Sequence, residues 1–296
     1  MYEEANQYVE YRKNIRIIIP TLFGLITVIG LIGNTLTIAV VLCNKIIKDV
    51  TNVLIMNLAV ADLLFVVFCI PFTAANIVMD MWPFGEVWCR IVQYLIYVSA
   101  FASMYILVLI SIDRYIALVH PMKALSLRTK RNCYIALTVV WSIVLLANIP
   151  LILEHHLVDY STLLGQEWSS CSIENELYSN ILSVCVFLFG YLLPLTLICV
   201  LYGFVLKAAF TRNILGKNTS GCVLLQSRKR VTKMVVIVLM VFAICWLPYH
   251  IVQLYLVFAD YPQNYMLISY LAYAANCMAY FNSCINPIIY TFYSKT

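Results

Sequence analysis

Charge is what this 296-residue chain has least of: Asp, Glu, Lys and Arg make up 11% of it while 63% is hydrophobic, against about 25% charged in a soluble domain. That shortage excludes a water-dissolved fold. The chain also lacks a Gly/Ser- or Pro-rich linker and a visible internal repeat, so a single domain over 1–296 is expected. A signal peptide is not expected either, because residues 1–16 are polar and mixed in charge and the first apolar run is long enough to remain as an anchor. No basic run is continuous with an aromatic platform, so the net charge of +5 does not point to nucleic acid.

What is present in place of charge is a set of long apolar runs. A bilayer core needs roughly 20 apolar residues per helical crossing, and seven runs of that order appear: Ile17 to Cys43, Val50 to Met79, Ile91 to Ile112, Asn132 to Leu153, Leu177 to Leu206, Met234 to Ala259, and from about Tyr261 to Tyr293. Lipid offers a backbone no hydrogen-bond partner, so each run must pair its own amides, and all are too long for barrel strands. The expected fold is all-α, a seven-transmembrane bundle with helices at about 17–43, 50–79, 89–119, 130–153, 177–211, 227–259 and 264–293.

Loops on one side hold fifteen basic residues, counting Arg114, against Asp49 and Asp113; the other side holds four basic residues against eleven acids. The positive-inside rule then puts the N-terminus outside and the C-terminus inside, with a basic inner face suited to anionic lipid and a cytosolic partner. Of the eleven cysteines, eight lie in or at the ends of the runs and Cys222 lies in an inner loop. Only Cys89 and Cys171 face the oxidising side, and they are expected to pair. The sequon Asn218-Thr219-Ser220 falls in an inner loop by the same rule and should be unused.

An ionisable group in lipid is expensive and marks a functional site by default. Asp62 stands mid-run, and Asn34, Ser103, Asn282, Ser283 and Asn286 are the polar residues able to face it. Two readings stand: an oxygen-lined site for a monovalent cation, or a protonated carboxyl hydrogen-bonded into the packing. At the inner end of the third run Asp113-Arg114-Tyr115 is either a latch whose arginine changes partners or an arginine snorkelling beside a chance acid. Pro71, Pro150, Pro194, Pro248 and Pro287 each remove a helical hydrogen bond and create a kink. Two have telling company, in Cys245-Trp246-Leu247-Pro248 and Asn286-Pro287-Ile288-Ile289-Tyr290. Trp246 beside a hinge couples displacement above it to a swing below, and Tyr202 and Tyr290 are placed to hydrogen-bond across the inner half.

Taken in order, one motif per run, Asn34, Asn57-Leu-Ala-Val-Ala-Asp62, Trp82-Pro-Phe-Gly with Cys89, Asp113-Arg114-Tyr115, Trp141, Pro194 with Tyr202, Cys245-Trp-Leu-Pro248 and Asn286-Pro-x-x-Tyr290 resemble the rhodopsin-like receptor family. Trp82-Pro-Phe-Gly-x-x-Trp-Cys89-x-x-x-Gln93-Tyr94-Leu and Phe189-Gly-Tyr-Leu-Leu-Pro194 narrow the resemblance to the galanin and allatostatin-A neuropeptide receptors. Somatostatin-, opioid- and tachykinin-like receptors fit less well. The resemblance implies a non-enzymatic plasma-membrane receptor with an extracellular peptide ligand. It also implies a heterotrimeric G protein of the inhibitory type, arrestin as a further inner partner, and a sodium-dependent inactive state around Asp62. An Arg114 that engages the G protein and a disulfide from Cys89 to Cys171 follow from it as well. Amine receptors carry an Asp where this chain has Ile96, and light-sensing members carry a Lys in a seventh run that here has none before Lys295.

In the outer halves of the third, sixth and seventh runs, Gln93, Tyr94, Tyr97, Tyr249, His250, Gln253, Tyr273, Asn276 and Tyr280 are the candidate ligand residues. Tyrosines offer both an aromatic face and a hydroxyl, suited to aromatic side chains and an amide end, and the acidic outer loops suit a basic or amidated peptide. A lipid ligand would favour fewer polar groups. A transporter would show paired repeats, which are not visible. The family usually continues beyond the seventh run into an amphipathic helix and a regulatory tail, whereas Thr296 follows soon after Tyr290.

Overall fold

A computed structural model describes residues 2–43, 49–161, 167–214, 222–259 and 264–294. Seven spans thread back and forth: α1 (Tyr2–Cys43), α2 (Val50–Phe68) with α3 (Ile70–Met79), α4 (Gly85–Val119), α6 (Lys130–Ala147) with α7 (Ile149–Glu154), α8 (Glu176–Phe187) with α9 (Leu193–Ile214), α10 (Cys222–Phe258), and α11 (Tyr265–Ser294). A short α5 (Pro121–Leu127) lies between α4 and α6, and a hairpin of β1 (His155–Ser161) and β2 (Glu167–Ile173) lies between α7 and α8. Six spans are long and apolar enough to cross a bilayer by composition. The seventh, α11, holds no charged residue and turns several amides and a tyrosine inward.

Several boundaries differ from the sequence expectation. Helix α1 begins at Tyr2 rather than near residue 17, because Tyr11 and Ile15 continue the buried stripe of Ile19, Phe23 and Ile26 toward the N-terminus at the spacing of one helical face. Arg12 and Arg16 both pair with Asp80, which sits in a left-handed turn after α3 at φ 58°, and so strap the extension to the bundle. Helix α10 likewise starts at Cys222 rather than 227. The second span breaks at Cys69 and the fourth at Asn148, each just before a proline in the first turn of the following helix. Residues 44–48, 162–166, 215–221 and 260–263, with Lys45, Lys48, Lys217, the sequon at Asn218 and Asp260, lie outside the described residues.

The prolines act through carbonyls as much as through bends. Pro287 cannot donate to the Ser283 carbonyl, and Asn34 Nδ2 on α1 donates to it instead at 2.8 Å, while also donating to Gly30 O at 3.0 Å. Before Pro194 the fifth span widens into a π turn, Leu188–Leu192. There the Leu193 N–H reaches back to Leu188 O, and the freed Phe189 carbonyl accepts from Tyr105 on α4 at 3.0 Å. Neighbouring helices thus satisfy what the prolines release, as a lipid-embedded backbone requires.

Two apolar clusters fill the interior. One lies toward the C-terminal face around Leu58, Leu107, Ile110, Val238 and Phe242; the other joins α1, the second span and α11 through Phe23, Val66, Ile70, Ala279 and Cys284. The opposite flanks of the helices, at Leu25, Ile143, Leu193 and Ile251 among others, are exposed and apolar, facing where lipid tails would lie. At the N-terminal face the hairpin is antiparallel with Leu157 opposite Cys171, and the Cys89–Cys171 disulfide ties β2 to the start of α4.

The α1 seam is close enough to test. A Cβ on Gly30 would stand 2.8 Å from Val66 Cγ2 and 3.1 Å from Cys284 Sγ, and Val66 is fully buried with a stiff β-branched side chain. Gly30→Val is therefore expected to lower the midpoint of thermal unfolding in micelles, with overpacking costing about 1–3 kcal/mol. An unchanged midpoint would contradict the close seam.

Candidate functional site

Three layers of residues stack along the bundle axis. Uppermost, toward the N-terminal face, is a cavity enclosed by the outer halves of the spans. Of the candidate ligand residues it is lined by Gln93, Tyr97, Tyr249, His250, Gln253, Asn276 and Tyr280. Two candidates belong elsewhere. The Tyr94 hydroxyl donates to Leu145 O on the fourth span at 3.0 Å, since one residue's step around α4 turns it away from Gln93. Tyr273 packs into the cluster shared by α1 and α11. The wall also includes Phe65, Thr73, Ile96, Phe101, Gly190 and Phe242. Apolar residues at helical spacing read as core in a sequence, and only their meeting around a void marks Phe65, Phe101 and Phe242 as lining. Among the described residues no Asp, Glu, Lys or Arg lines the cavity.

His250 sits in a cage of rings, with Tyr191 at 4.7 Å, Tyr249 at 5.4 Å, Phe187 at 5.7 Å and Trp246 at 6.2 Å between centroids. Trp246 forms the cavity floor against Phe242 and Tyr249, two residues before Pro248 in α10, and its indole N–H is buried without a hydrogen-bond partner among the described residues. Tyr97 of the cavity wall meets the buried His155 of the hairpin. Burial holds the His155 imidazole pKa below its ordinary value despite the Leu151 carbonyl beside it.

The middle layer stands one turn below. Phe65, Ala100 and Ala279 line the cavity, and Asp62, Ser103 and Asn282 follow three residues away in the direction of the C-terminal face. Asp62 is fully buried; it accepts from Ser103 Oγ at 3.1 Å and from Asn286 Nδ2 at 2.9 Å. Asn34, Asn282, Ser283 and Asn286 are all buried with it. The amide oxygens of Asn34, Asn282 and Asn286 have no hydrogen-bond partner. Orphaned buried acceptors beside a carboxyl are hard oxygen donors of the kind a small cation takes, so this donor set fits one.

The lowest layer is the Asp113–Arg114 pair, both buried. Asp113 holds Arg114 and accepts from Arg128 Nε at 2.6 Å and Thr51 Oγ1 at 3.0 Å, and Arg114 also donates to Thr51. Arg128 extends the network to Asp49 at 3.5 Å. Helix α10 contains no acid, so Arg114 is restrained by the α2 start and the segment after α5. The sequence pattern singles out neither Thr51 nor Arg128; the available signal was that Asp49 and Asp113 are the two acids near this end. Tyr115 faces elsewhere, its hydroxyl 3.1 Å from His120 Nε2 and its ring against Phe204. The Tyr202 hydroxyl lies within electrostatic reach of Arg114 and Ser111 but makes no hydrogen bond by distance and angle. The Tyr290 side chain lies outside the described residues.

Comparison with known proteins identifies the family. The family model described as "7 transmembrane receptor (rhodopsin family)" matches residues 33–290. The chain is 41% identical over 283 residues to the allatostatin-A receptor of Bombyx mori, covering 94% of this chain and 76% of that protein. It is 35% identical over 284 residues to galanin receptor 2b of Danio rerio, covering 94% and 72%. Against galanin receptor type 1 of Mus musculus it is 35% identical over 280 residues, covering 92% and 77%.

Gly190 offers a test of the cavity wall. A Cβ there would stand 3.3 Å from two Phe101 ring carbons, and Phe101 has the void to move into. Gly190→Ala is expected to weaken binding of a cavity-seated peptide roughly tenfold, the equivalent of about 1.4 kcal/mol, in a competition assay. Unaltered affinity would place the ligand away from this wall.

Proposed function

The chain belongs to the rhodopsin-like family of G-protein-coupled receptors, multi-pass proteins of the plasma membrane, and on that premise we propose that it is a neuropeptide receptor of the allatostatin-A and galanin kind. In this reading the N-terminal face is extracellular and the basic C-terminal face receives a heterotrimeric G protein of the inhibitory class. One observation carries it: a cavity lined by hydroxyls, amides and rings with no charged group among the described residues, beneath a face where acids outnumber bases. Such a lining fits an uncharged amide end and an aromatic side chain, while the acidic rim draws basic residues of the peptide toward the mouth. The carboxylate needed to fix a monoamine is missing, because Ile96 stands on the wall.

The layers give a route for the signal. A peptide end entering the cavity displaces Tyr249 and His250, which pack on Trp246, and Pro248 lets α10 pivot about that point. The shift repacks the Asp62 layer one turn below and frees Arg114 from Asp113 to meet the G protein. We also propose that sodium occupies the Asp62 layer in the resting state, held by Asp62, Ser103, Asn282, Ser283 and Asn286. There it would neutralise the carboxylate and satisfy amide oxygens that otherwise lack partners.

The test is a panel of amidated neuropeptides, allatostatin-like and galanin-like sequences included, applied to cells expressing the chain with G-protein activation as the readout. At least one peptide of that group should activate; silence from all of them alongside a response to a lipid would overturn the ligand class. In the same cells Arg114→Ala should abolish nucleotide exchange while peptide binding persists, and a variant that still signals fully would remove Arg114 from the switch.

Asp62→Asn gives an independent check on the middle layer. Peptide affinity should fall with rising sodium in the unmodified receptor and become insensitive to it in the variant. Sodium sensitivity that survives the substitution would rule out this layer as the cation site.

A further inference from the structure

The flank where α1 meets α11 carries two grooves that share Tyr270. The one nearer the N-terminus, about 740 Å³, is lined by Glu10, Tyr11, Asn14 and Asn264 beside Tyr270. The other, about 700 Å³, is lined by Ile15, Ile18, Ile19 and Leu22 on α1 and by Ala274 and Cys277 on α11. Leu267, Tyr270, Ala274 and Cys277 fall on one face of α11 by helical spacing, about a third of a turn away from the cavity residues Asn276 and Tyr280. Ile18 is 53% exposed and Leu22 40%, so the groove opens to the membrane and not to the ligand cavity.

Its chemistry changes where the solvent changes. The charge-free run of α1 begins at Ile17, within the apolar groove and past the last α1 residue of the polar one, Asn14. From Glu10 to Leu22 is twelve residues, about 18 Å of helix at 1.5 Å per residue, which matches half of a roughly 30 Å bilayer core plus part of the head region. Glu10 pairs with no cation among the described residues, whereas Arg12 and Arg16 are both taken by Asp80. Beside Glu10 the Tyr11 and Tyr270 rings meet edge to face at 4.6 Å. Tyr11 is buried and supports Tyr270, which is exposed; a carboxylate sharing a groove with an exposed aromatic ring is an arrangement that receives an alkylated ammonium, through charge and cation–π attraction together.

We propose that the α1–α11 seam binds a single choline-headed phospholipid, with its ammonium at Glu10 against the exposed Tyr270 ring and an acyl chain along Ile15, Ile18, Leu22 and Ala274. The seam holds Asn34, Gly30 and Gly33 against α11 deeper in the bundle, so the lipid would brace the helix pair on which the Asp62 layer rests.

The test is mass spectrometry of the full chain released from micelles after incubation with phosphatidylcholine, phosphatidylglycerol or a sterol. One phosphatidylcholine per chain should be retained in preference to the other two. Glu10→Gln should lower that retention roughly tenfold, the size of a partly desolvated ammonium contact. Ala274→Phe should abolish it by filling the groove; Ala274 is exposed, so thermal unfolding of that variant should be unchanged without added lipid. Val200→Phe on the exposed flank of α9 should leave retention intact. Preference for phosphatidylglycerol or for the sterol, or phosphatidylcholine retention indifferent to both Glu10→Gln and Ala274→Phe, would overturn the proposal.

Discussion

A carboxyl group at the mid-depth of a bilayer costs about 2.5–3.5 kcal/mol even on the lenient scale of helix insertion, and Asp62 is fully buried there with no cationic side chain among the described residues to answer it. Its hydrogen bonds come from two other spans, Ser103 on α4 and Asn286 on α11, so one carboxyl ties three helices together at a single level. The composition of α11 follows from that demand. Asn276, Tyr280, Asn282, Ser283 and Asn286 all turn inward, which gives α11 a polar inner face. The same level holds the Asn34–Ser283 bond that answers Pro287, so the polar layer and the kink in α11 are one construction.

A layer joined by hydrogen bonds behaves differently from the hydrocarbon above and below it. Close-packed cores resist gradual deformation and move between discrete arrangements, and a carboxyl with several amides around it offers more than one set of pairings. The cavity wall and the polar layer share helices one turn apart at Phe65 and Asp62, Ala100 and Ser103, and Ala279 and Asn282. Displacement at the floor, where Trp246 packs on His250 and Phe242, therefore reaches the layer without a long path. At the far end the restraint on Arg114 is local, closed by Asp113, Thr51 and Arg128, because α10 has no acid to offer. Release there needs Asp113 to loosen its grip and not a salt bridge to the sixth span to break.

Much of this was legible in the residues themselves. Lipid allows few solutions for a backbone, so charge-free runs located the spans, and the depth of each cysteine isolated Cys89 and Cys171. Asp62 and its polar neighbours stood out because nothing else in those runs resembles them. Features set by side-chain direction were less legible. Gln93 and Tyr94 differ by one step around a helix, which sends one to the cavity and the other to Leu145. Tyr273 is lost to the α1 cluster in the same way. The N-terminal extension of α1 was hidden because Arg12, Lys13 and Arg16 read as a polar tail until Asp80 is seen to pair with two of them. Arg128 gave no signal, since its partner lies fifteen residues away across a turn. The π turn and the hairpin likewise depend on contacts with Tyr105 and with Trp82, whose amide donates to Ser169 O at 2.8 Å.

The central claim is that the outer cavity and the inner arginine are two ends of one equilibrium, and linkage makes that claim reciprocal. The direct measurement is the affinity of an activating peptide for the purified receptor with and without a nucleotide-free G protein at the C-terminal face. Coupling through the Asp62 layer predicts that peptide affinity rises when the G protein is bound, by the roughly 5- to 150-fold typical of such coupling. Equal affinity in the two states would contradict it.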